Sequence, residues 1–251
     1  MYEPPTIMGS IDTDEGKAGL VNETLALRSL IDGLIASGKR SFSINDTCNA
    51  YGVKRRGFYD FLSIGSIFNV CRRSSNDCFE WFGFDGTKDI LEKVSVAVNQ
   101  EQFSDISRGF SCATNSSLNN ISMNVIRLFF YLHVRFLDLR QVAKLFSLGG
   151  AKYKTMLRKL YTVATGLELS GIVSRTNRVA EIRFLYPLPE SSLMFSPLNV
   201  ASLLNSKKEM DEETKYQKRR KQFNDLTEDP RMTTLPVTTT YKYFPSLCFF
   251  H

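Results

Sequence analysis

The stretch VKRRGFYDF, residues 53–61, sets two arginines, a glycine and two aromatics along what its neighbours mark as one helix. A guanidinium group is a planar fork of donors, suited to paired acceptors such as a carboxylate, a phosphate or the major-groove edge of guanine. A second stretch, KYKTMLRKLY at 152–161, puts Lys152, Lys154, Arg158 and Lys159 at the head of another helix. Behind each helix a strand–turn–strand pattern again carries cations, Arg72 and Arg73 in one and Arg175 and Arg178 in the other. Matched placement on two elements in two copies favours a polyanion over a merely solvated face. In that reading Arg55, Arg56, Arg158 and Lys159 face base edges, while Lys54, Arg72, Arg73, Lys152, Lys154, Arg175 and Arg178 hold phosphates.

The elements that must position these side chains follow from periodicity. In 20–84, Asn22 is expected to cap a helix whose Leu27, Leu30, Ile31, Leu34 and Ile35 form one apolar stripe ending at Gly38. Ser43 with Asp46 marks a short helix over 43–50, stopped by Gly52, and a third helix is expected over 53–66 with Phe58, Phe61 and Leu62 inward. IFNVCRR and CFEWFGF, separated by SSND, read as a hairpin. In 121–187 the order repeats. Val125, Leu128, Phe129 and Leu132 make a stripe, Asp138 caps LDLRQVAKLF, a long helix spans about 152–169, and GIVSRT pairs with VAEIRFLYPL. Three helices and a hairpin are the winged-helix form of helix-turn-helix, whose third helix enters the major groove. The expected fold is therefore mainly α with small β-hairpins (α+β), as two tandem winged-helix domains. Residues 1–19 are expected as a tail, 85–120 as a linker that is possibly part helical, and 188–251 as a charged exposed helix near 207–224 with a loose tail.

The composition excludes several classes. The chain has 251 residues, 43% hydrophobic and 12% aromatic, with a formal charge of +6, so it can bury real cores and leans basic. Its start, MYEPPTIMGSIDTDEGK, lacks the apolar core of a signal peptide, and the most apolar run, 125–139, is broken by Arg127, His133, Arg135 and Asp138. Neither secretion nor a membrane span is expected. Five scattered cysteines (Cys48, Cys71, Cys78, Cys112 and Cys248) and two histidines (His133 and His251) offer no zinc pattern. Cys71 and Cys78 could meet across the first hairpin, but free thiols are the expectation. There is no Gly-rich phosphate loop and no nucleophile motif, so neither an enzyme nor a cofactor is expected; His133 reads as a satisfied core histidine. No zipper heptad follows either unit.

The segment INDTCNAYGVKRRGFYDFLSIGSIFNVCRRSSNDCFEWFG resembles the DNA-binding domain of the E-two-F and dimerisation-partner (DP) family of cell-cycle transcription factors. Tyr59 and Asp60 stand at the Tyr-Asp of that family's R-R-x-Y-D helix, and Arg72, Arg73, Asn76, Trp81 and Gly83 at its hairpin residues. LRKLYTVATGLELSGIVSRT is similar to the same motif, with Arg158, Lys159, Leu160 and Tyr161 at R-R-x-Y, and Leu167, Gly171 and Ile172 in its continuation. Two such domains in one chain resemble the atypical branch, whose tandem pair acts as an internal heterodimer. The resemblance covers roughly 20–84 and 121–187. It implies a nuclear transcription regulator on a GC-containing site, with repression the implied output, and double-stranded DNA as partner. The departures are specific: Arg56 takes the first arginine position and Gly57 the second, while Lys159 replaces the second arginine and Thr162 the aspartate in the other unit.

Tyr59, Tyr161 and Trp81 are expected to pack the junction of each third helix. Asp60 either positions Arg56 or satisfies backbone groups. Lys215, Lys218, Arg219, Arg220 and Lys221 form a nuclear-localisation signal, a phosphate-binding arm or a solvated helix face. The alternative function is a winged-helix subunit of a larger nuclear complex that binds proteins or DNA without sequence preference. The apolar TYKYFPSLCFFH would be its docking segment.

Overall fold

In the computed structural model of the chain, the described residues are 14–75, 77–101, 103, 105–112, 116–150, 152–189 and 212–228. The fold is mainly helical with two three-stranded antiparallel sheets. Helix α1 (Asp14–Ser37) runs on through Asn22, so that residue caps nothing. Leu27, Leu30, Ile31 and Leu34 are buried, but Ile35 is 53% exposed. At 100° per residue Ile35 stands roughly 90° from the centre of the stripe, on its edge.

Strand β1 (Ser41–Ser43) leads directly into α2 (Ile44–Tyr51). Extended Ser43 accepts the Asp46 N–H at 3.2 Å, and left-handed Gly52 (φ 63°) closes the helix. Helix α3 (Arg55–Ile67) starts two residues after the expected point, because Lys54 is extended at its N-cap. Strands β2 (Cys71–Arg73) and β3 (Cys78–Trp81) form the hairpin, and β1 adds to the free edge of β3.

The segment expected as a linker is instead built into the core. Helices α4 (Thr87–Gln100) and α5 (Ile106–Phe110) bury Leu91, Val98, Ile106 and Phe110, with Cys112 behind them. Thr87 donates its hydroxyl to Phe68 O at the end of α3, while α4 packs along the helix that begins at Leu118. Two of the four buried positions of α4 are Thr87 and Ser95, which hides its inward stripe from a hydropathy reading.

Then come α6 (Leu118–Leu132), β4 (Phe136–Asp138), α7 (Leu139–Ser147), α8 (Tyr153–Leu169), β5 (Val173–Arg175) and β6 (Glu181–Phe184). Asp138 caps α7 by accepting the Arg140 N–H at 2.7 Å. The sheet orders β1-β3-β2 and β4-β6-β5 are the same. So are the bonds that close each unit. Val70 N–H to Gly65 O is matched by Ile172 N–H to Leu167 O, and Trp81 N–H to Arg40 O by Phe184 N–H to Arg135 O. Asn69 and Gly171, at corresponding places after α3 and α8, are both left-handed.

The two units pack reciprocally: α3 lies on α8, α3 also meets α6, and α1 also meets α8. Ser63 donates to Asn119 across one of these contacts, and Arg28 pairs with Glu168 at 3.5 Å across the other. A Cβ on Gly166 would fall 2.5 Å from Ile64 Cδ1. Counting from Tyr59 and Tyr161, Ile64 and Gly166 are corresponding residues, so the third helices cross at their own equivalent point. That is the contact pattern of a two-fold related pair.

Helix α9 (Glu212–Thr227), expected to be exposed, buries Tyr216, Arg219, Phe223 and Thr227 against α5, α6 and α7. Nearly all the rest of the expected C-terminal tail, TYKYFPSLCFFH included, lies outside the described residues, as do residues 1–13 of the expected N-terminal one, whose residues 14–19 belong instead to α1.

Candidate nucleic-acid interface

The first turn of α3 is fixed from behind. Buried Val53 bonds Cys48 O at 2.9 Å, and Phe58, Phe61 and Leu62 lock the helix into the core. Among the described residues no side-chain hydrogen bond caps this N-terminus and the helix has no acid of its own in the first turn, where the dipole favours negative charge; the Glu23 carboxylate of α1 lies beside it. Arg55 and Arg56 are both exposed there. Arg55 is tethered, 3.5 Å from the Tyr59 hydroxyl and 3.8 Å from Asp77 Oδ1 in the hairpin turn. That oxygen is enclosed without a hydrogen bond, while Asp77 Oδ2 accepts from Ser43 at 3.2 Å. Arg56 has no carboxylate within ion-pair distance among the described residues. Asp60, one turn on, has its pKa raised by burial, and the Arg56 charge opposes that shift.

Arg158 stands where Arg56 does and is likewise exposed and unpaired among the described residues. The second arginine position of the motif behaves differently in both units. A Cβ on Gly57 would lie 2.6 Å from Glu23 Oε1, so α1 occupies the space a side chain would take. Lys159, its counterpart, is half-buried and donates to Ser116 O at 2.6 Å and Ser116 Oγ at 2.8 Å, just ahead of α6. In each unit this position faces its own first helix. The glycine thus answers to packing under Glu23, whose other oxygen lies 3.9 Å from Lys54 Nζ.

The hairpin cations are mostly engaged. Arg72 donates from Nε and Nη2 to one oxygen of Glu80, Oε2, at 3.1 and 2.6 Å, and its guanidinium lies 5.5 Å from the Phe82 ring. Arg73 bonds Ser75 O at 3.0 Å and covers the Tyr59 ring at 5.2 Å. Arg175 bonds Glu168 at 3.3 Å and Thr165 at 2.9 Å; Arg178 reaches Glu181 at 3.6 Å but is 81% exposed. An exposed single contact such as Arg178–Glu181 contributes at most ~1 kcal/mol, so a phosphate can displace it. Lys152, the N-cap of α8, and Lys154, in its first turn, are exposed. Trp81 is buried, 6.4 Å from Phe61 and 5.6 Å from Phe84, and half-buried Tyr59 and Tyr161 pack on the core. Asn76 of the resemblance lies outside the described residues.

The basic run of α9 is neither a free arm nor a solvated face. Arg219, 5% exposed, lies 3.9 Å over the Tyr131 ring and donates to Tyr131 O at 3.1 Å and Glu101 O at 2.8 Å. Lys215 donates to Asn99 O, and Arg220 to Leu132 O and His133 O. These cations satisfy carbonyls at or just beyond the C-terminal ends of α4 and α6, where helix dipoles favour positive charge. Burial depresses the pKa of both Arg219 and Lys215. Lys218 and Lys221 stay exposed. His133 is the left-handed C-cap of α6, stacked on Tyr216 at 4.5 Å with Nε2 2.8 Å from Pro189 O.

Cys71 opposes Trp81 and Cys78 opposes Ser43, so the two thiols do not face each other; Cys48, Cys71, Cys78 and Cys112 are free. Among the described residues no His/Cys/Asp/Glu group could hold a metal, and no helix is long and apolar enough to cross a membrane. Two contributors escaped the sequence reading. Glu23 lies a whole element away from Gly57. Arg183, exposed on the central strand of the second sheet, carried a signal in the alternation of EIRF. Compared with known protein families and with curated protein sequences, the chain matches none.

Proposed function

We propose that the chain is a sequence-specific, double-stranded-DNA-binding transcription regulator of the E-two-F/DP type. It uses two winged-helix domains as an internal pseudo-heterodimer on a GC-containing site. Its place is the nucleus and its output cell-cycle-related repression, both by resemblance. The repeated order of three helices and a three-stranded sheet supports the winged-helix assignment, and the reciprocal packing of α3 on α8 supports the internal pair. The observation that carries the reading is Arg56 and Arg158. They are corresponding, exposed arginines with no ion-pair partner among the described residues, Arg56 on the first turn of α3 and Arg158 on the second turn of α8, away from the Ile64–Gly166 crossing.

Each arginine meeting a guanine O6/N7 edge would contribute ~1–3 kcal/mol of discrimination. Arg55 assists from its tether to Asp77, and Lys159 orders the chain ahead of α6 and contributes only general positive potential. The test is a titration on GC-rich and scrambled duplexes across salt concentrations. The reading expects preference for the GC-rich duplex, with Arg56→Ala and Arg158→Ala each lowering it about tenfold. Equal affinity for both duplexes, unchanged in the two variants, would sink it.

A second reading, a protein-docking subunit of a nuclear complex, draws support from the acids that already hold Arg72 and Arg175, and from Glu23 at the head of α3. It expects a stoichiometric protein partner on co-purification and no duplex shift at physiological salt.

A further inference from the structure

The two sheets present the same outward row of three residues with opposite chemistry. In the first, Ser41 and Arg72 flank Glu80 on the central strand. The row closes on itself, because Arg72 donates through both Nε and Nη2 to Glu80 Oε2, the shorter contact being 2.6 Å. In the second, Phe136 and Ser174 flank Arg183 at the matching place. No carboxylate lies within ion-pair distance of Arg183 among the described residues, and the acids of the neighbouring row are engaged, Asp138 by Arg140 and Glu181 by Thr176 and Arg178. The matching position is thus an acid in one sheet and a base in the other, and the arginine that neutralises the acid is matched by a serine.

The surrounding charge follows the same division. Residues 20–84 hold eight Lys and Arg against six Asp and Glu, a net of +2; residues 118–187 hold eleven against three, a net of +8. The chain as a whole is +6, so the second unit exceeds the entire excess. A polyanion senses the sum of such charges over a distance of about a Debye length, ~8–10 Å at moderate salt, and then the geometry of individual donors.

We propose that the second sheet is the phosphate-binding wing of this protein, with Arg183 as its central donor and exposed Phe136 beside it, while the first sheet is self-neutralised and adds little backbone affinity. The inference rests on the DNA-binding reading and adds which half of the molecule anchors the duplex. Arg183 holds a phosphate oxygen through its fork. Arg178 at the tip of the hairpin exchanges Glu181 for the next phosphate, and Lys152 and Lys154 continue the same positive field toward α8.

The test is the slope of log affinity against log salt on one duplex, measured for the full chain and surface variants with matched unfolding midpoints. Each phosphate contact contributes about 0.9 to that slope on a duplex. Arg183→Ala is expected to lower it by about one contact and weaken GC-rich and scrambled duplexes alike. Arg72→Ala is expected to leave it unchanged, and Glu80→Gln, which frees Arg72, to raise it by about one contact. An unchanged slope in Arg183→Ala, or an equal fall in Arg72→Ala, overturns the inference while the DNA-binding reading stands. A wild-type chain that binds no duplex at low salt overturns both, and that result is visible before any variant is made.

Discussion

Replacing Gly166 by alanine probes the crossing on which the paired arrangement depends. The new Cβ would stand 2.5 Å from Ile64 Cδ1 and 3.3 Å from Ile64 Cβ and Cγ2. Cδ1 is the far end of a side chain and can swing, but Cβ and Cγ2 are fixed by a β-branched χ1 in a helix. Alanine for glycine inside a helix gains about 1 kcal/mol, whereas overpacking a buried contact costs ~1–3 kcal/mol. The expected outcome is therefore a net loss of up to ~2 kcal/mol in denaturant-unfolding free energy. Ile64→Ala removes Cγ2 as well as Cδ1 and alone costs ~2–5 kcal/mol. In that background Gly166→Ala should be neutral or stabilising, giving a coupling of ~1–2 kcal/mol in the double-mutant cycle. Additive effects, within about 0.5 kcal/mol, would show that the two helices do not meet here and would remove the physical basis for the pseudo-dyad.

Further outcomes follow from the same structure. Arg219→Met leaves helix-terminal carbonyls without donors, so stability should fall by ~2–4 kcal/mol and α9 should become the first site of proteolytic cleavage and hydrogen exchange. Burial pushes the Cys71 thiol from the ordinary 9.0 to about 12, so the folded state keeps a proton that the unfolded chain releases. Stability is then whole below pH 9 and declines as pH rises toward 12, by ~1.4 kcal/mol at pH 10 from this thiol, and Cys71→Ala should flatten the decline. Under native conditions half-buried Cys78 should react with a thiol reagent well before Cys48, Cys71 and Cys112, which urea should release together. Gly57→Ala meets only the mobile end of Glu23 at 2.6 Å, so the helix gain of about 1 kcal/mol should nearly cancel the displacement, leaving melting temperature within a few degrees of wild type.

The parts of the fold that were legible in the sequence are those with local causes. Ser43, Gly52 and Asp138 announce helix ends because their side chains or backbone freedom act within four residues. The inward stripes of α3 and α6 repeat often enough to show their period. Strands β1 and β4 could not be seen, since three residues carry too little alternation and their partners lie about forty positions away. Helix α4 was half visible, because Thr87 and Ser95 do the burying that leucines would have advertised.

Charge proved the least readable property. Arg219 reads as a surface cation like Lys218 beside it, yet one sits under Tyr131 and the other faces solvent. Arg72 and Arg183 are likewise indistinguishable by type, and only the cross-strand register separates a residue closed on Glu80 from one left open. At the candidate interface the sequence placed Arg55 and Arg56 at the start of α3, while Arg158 and Lys159 fall one turn further into α8 than their motif suggests. It could not tell that Gly57 and Lys159 face inward, because the groups they face, Glu23 and Ser116, lie more than thirty residues upstream.

The central claim is that one chain carries two corresponding readers, Arg56 and Arg158, related by the crossing of α3 and α8. Selection of bound sequences from a random duplex pool tests it most directly. The account predicts an enriched site with two guanine-containing halves about an approximate dyad. Arg56→Ala should erase the preference in one half and Arg158→Ala the preference in the other. A pool that emerges unenriched, or an enriched site that neither substitution alters, would contradict it.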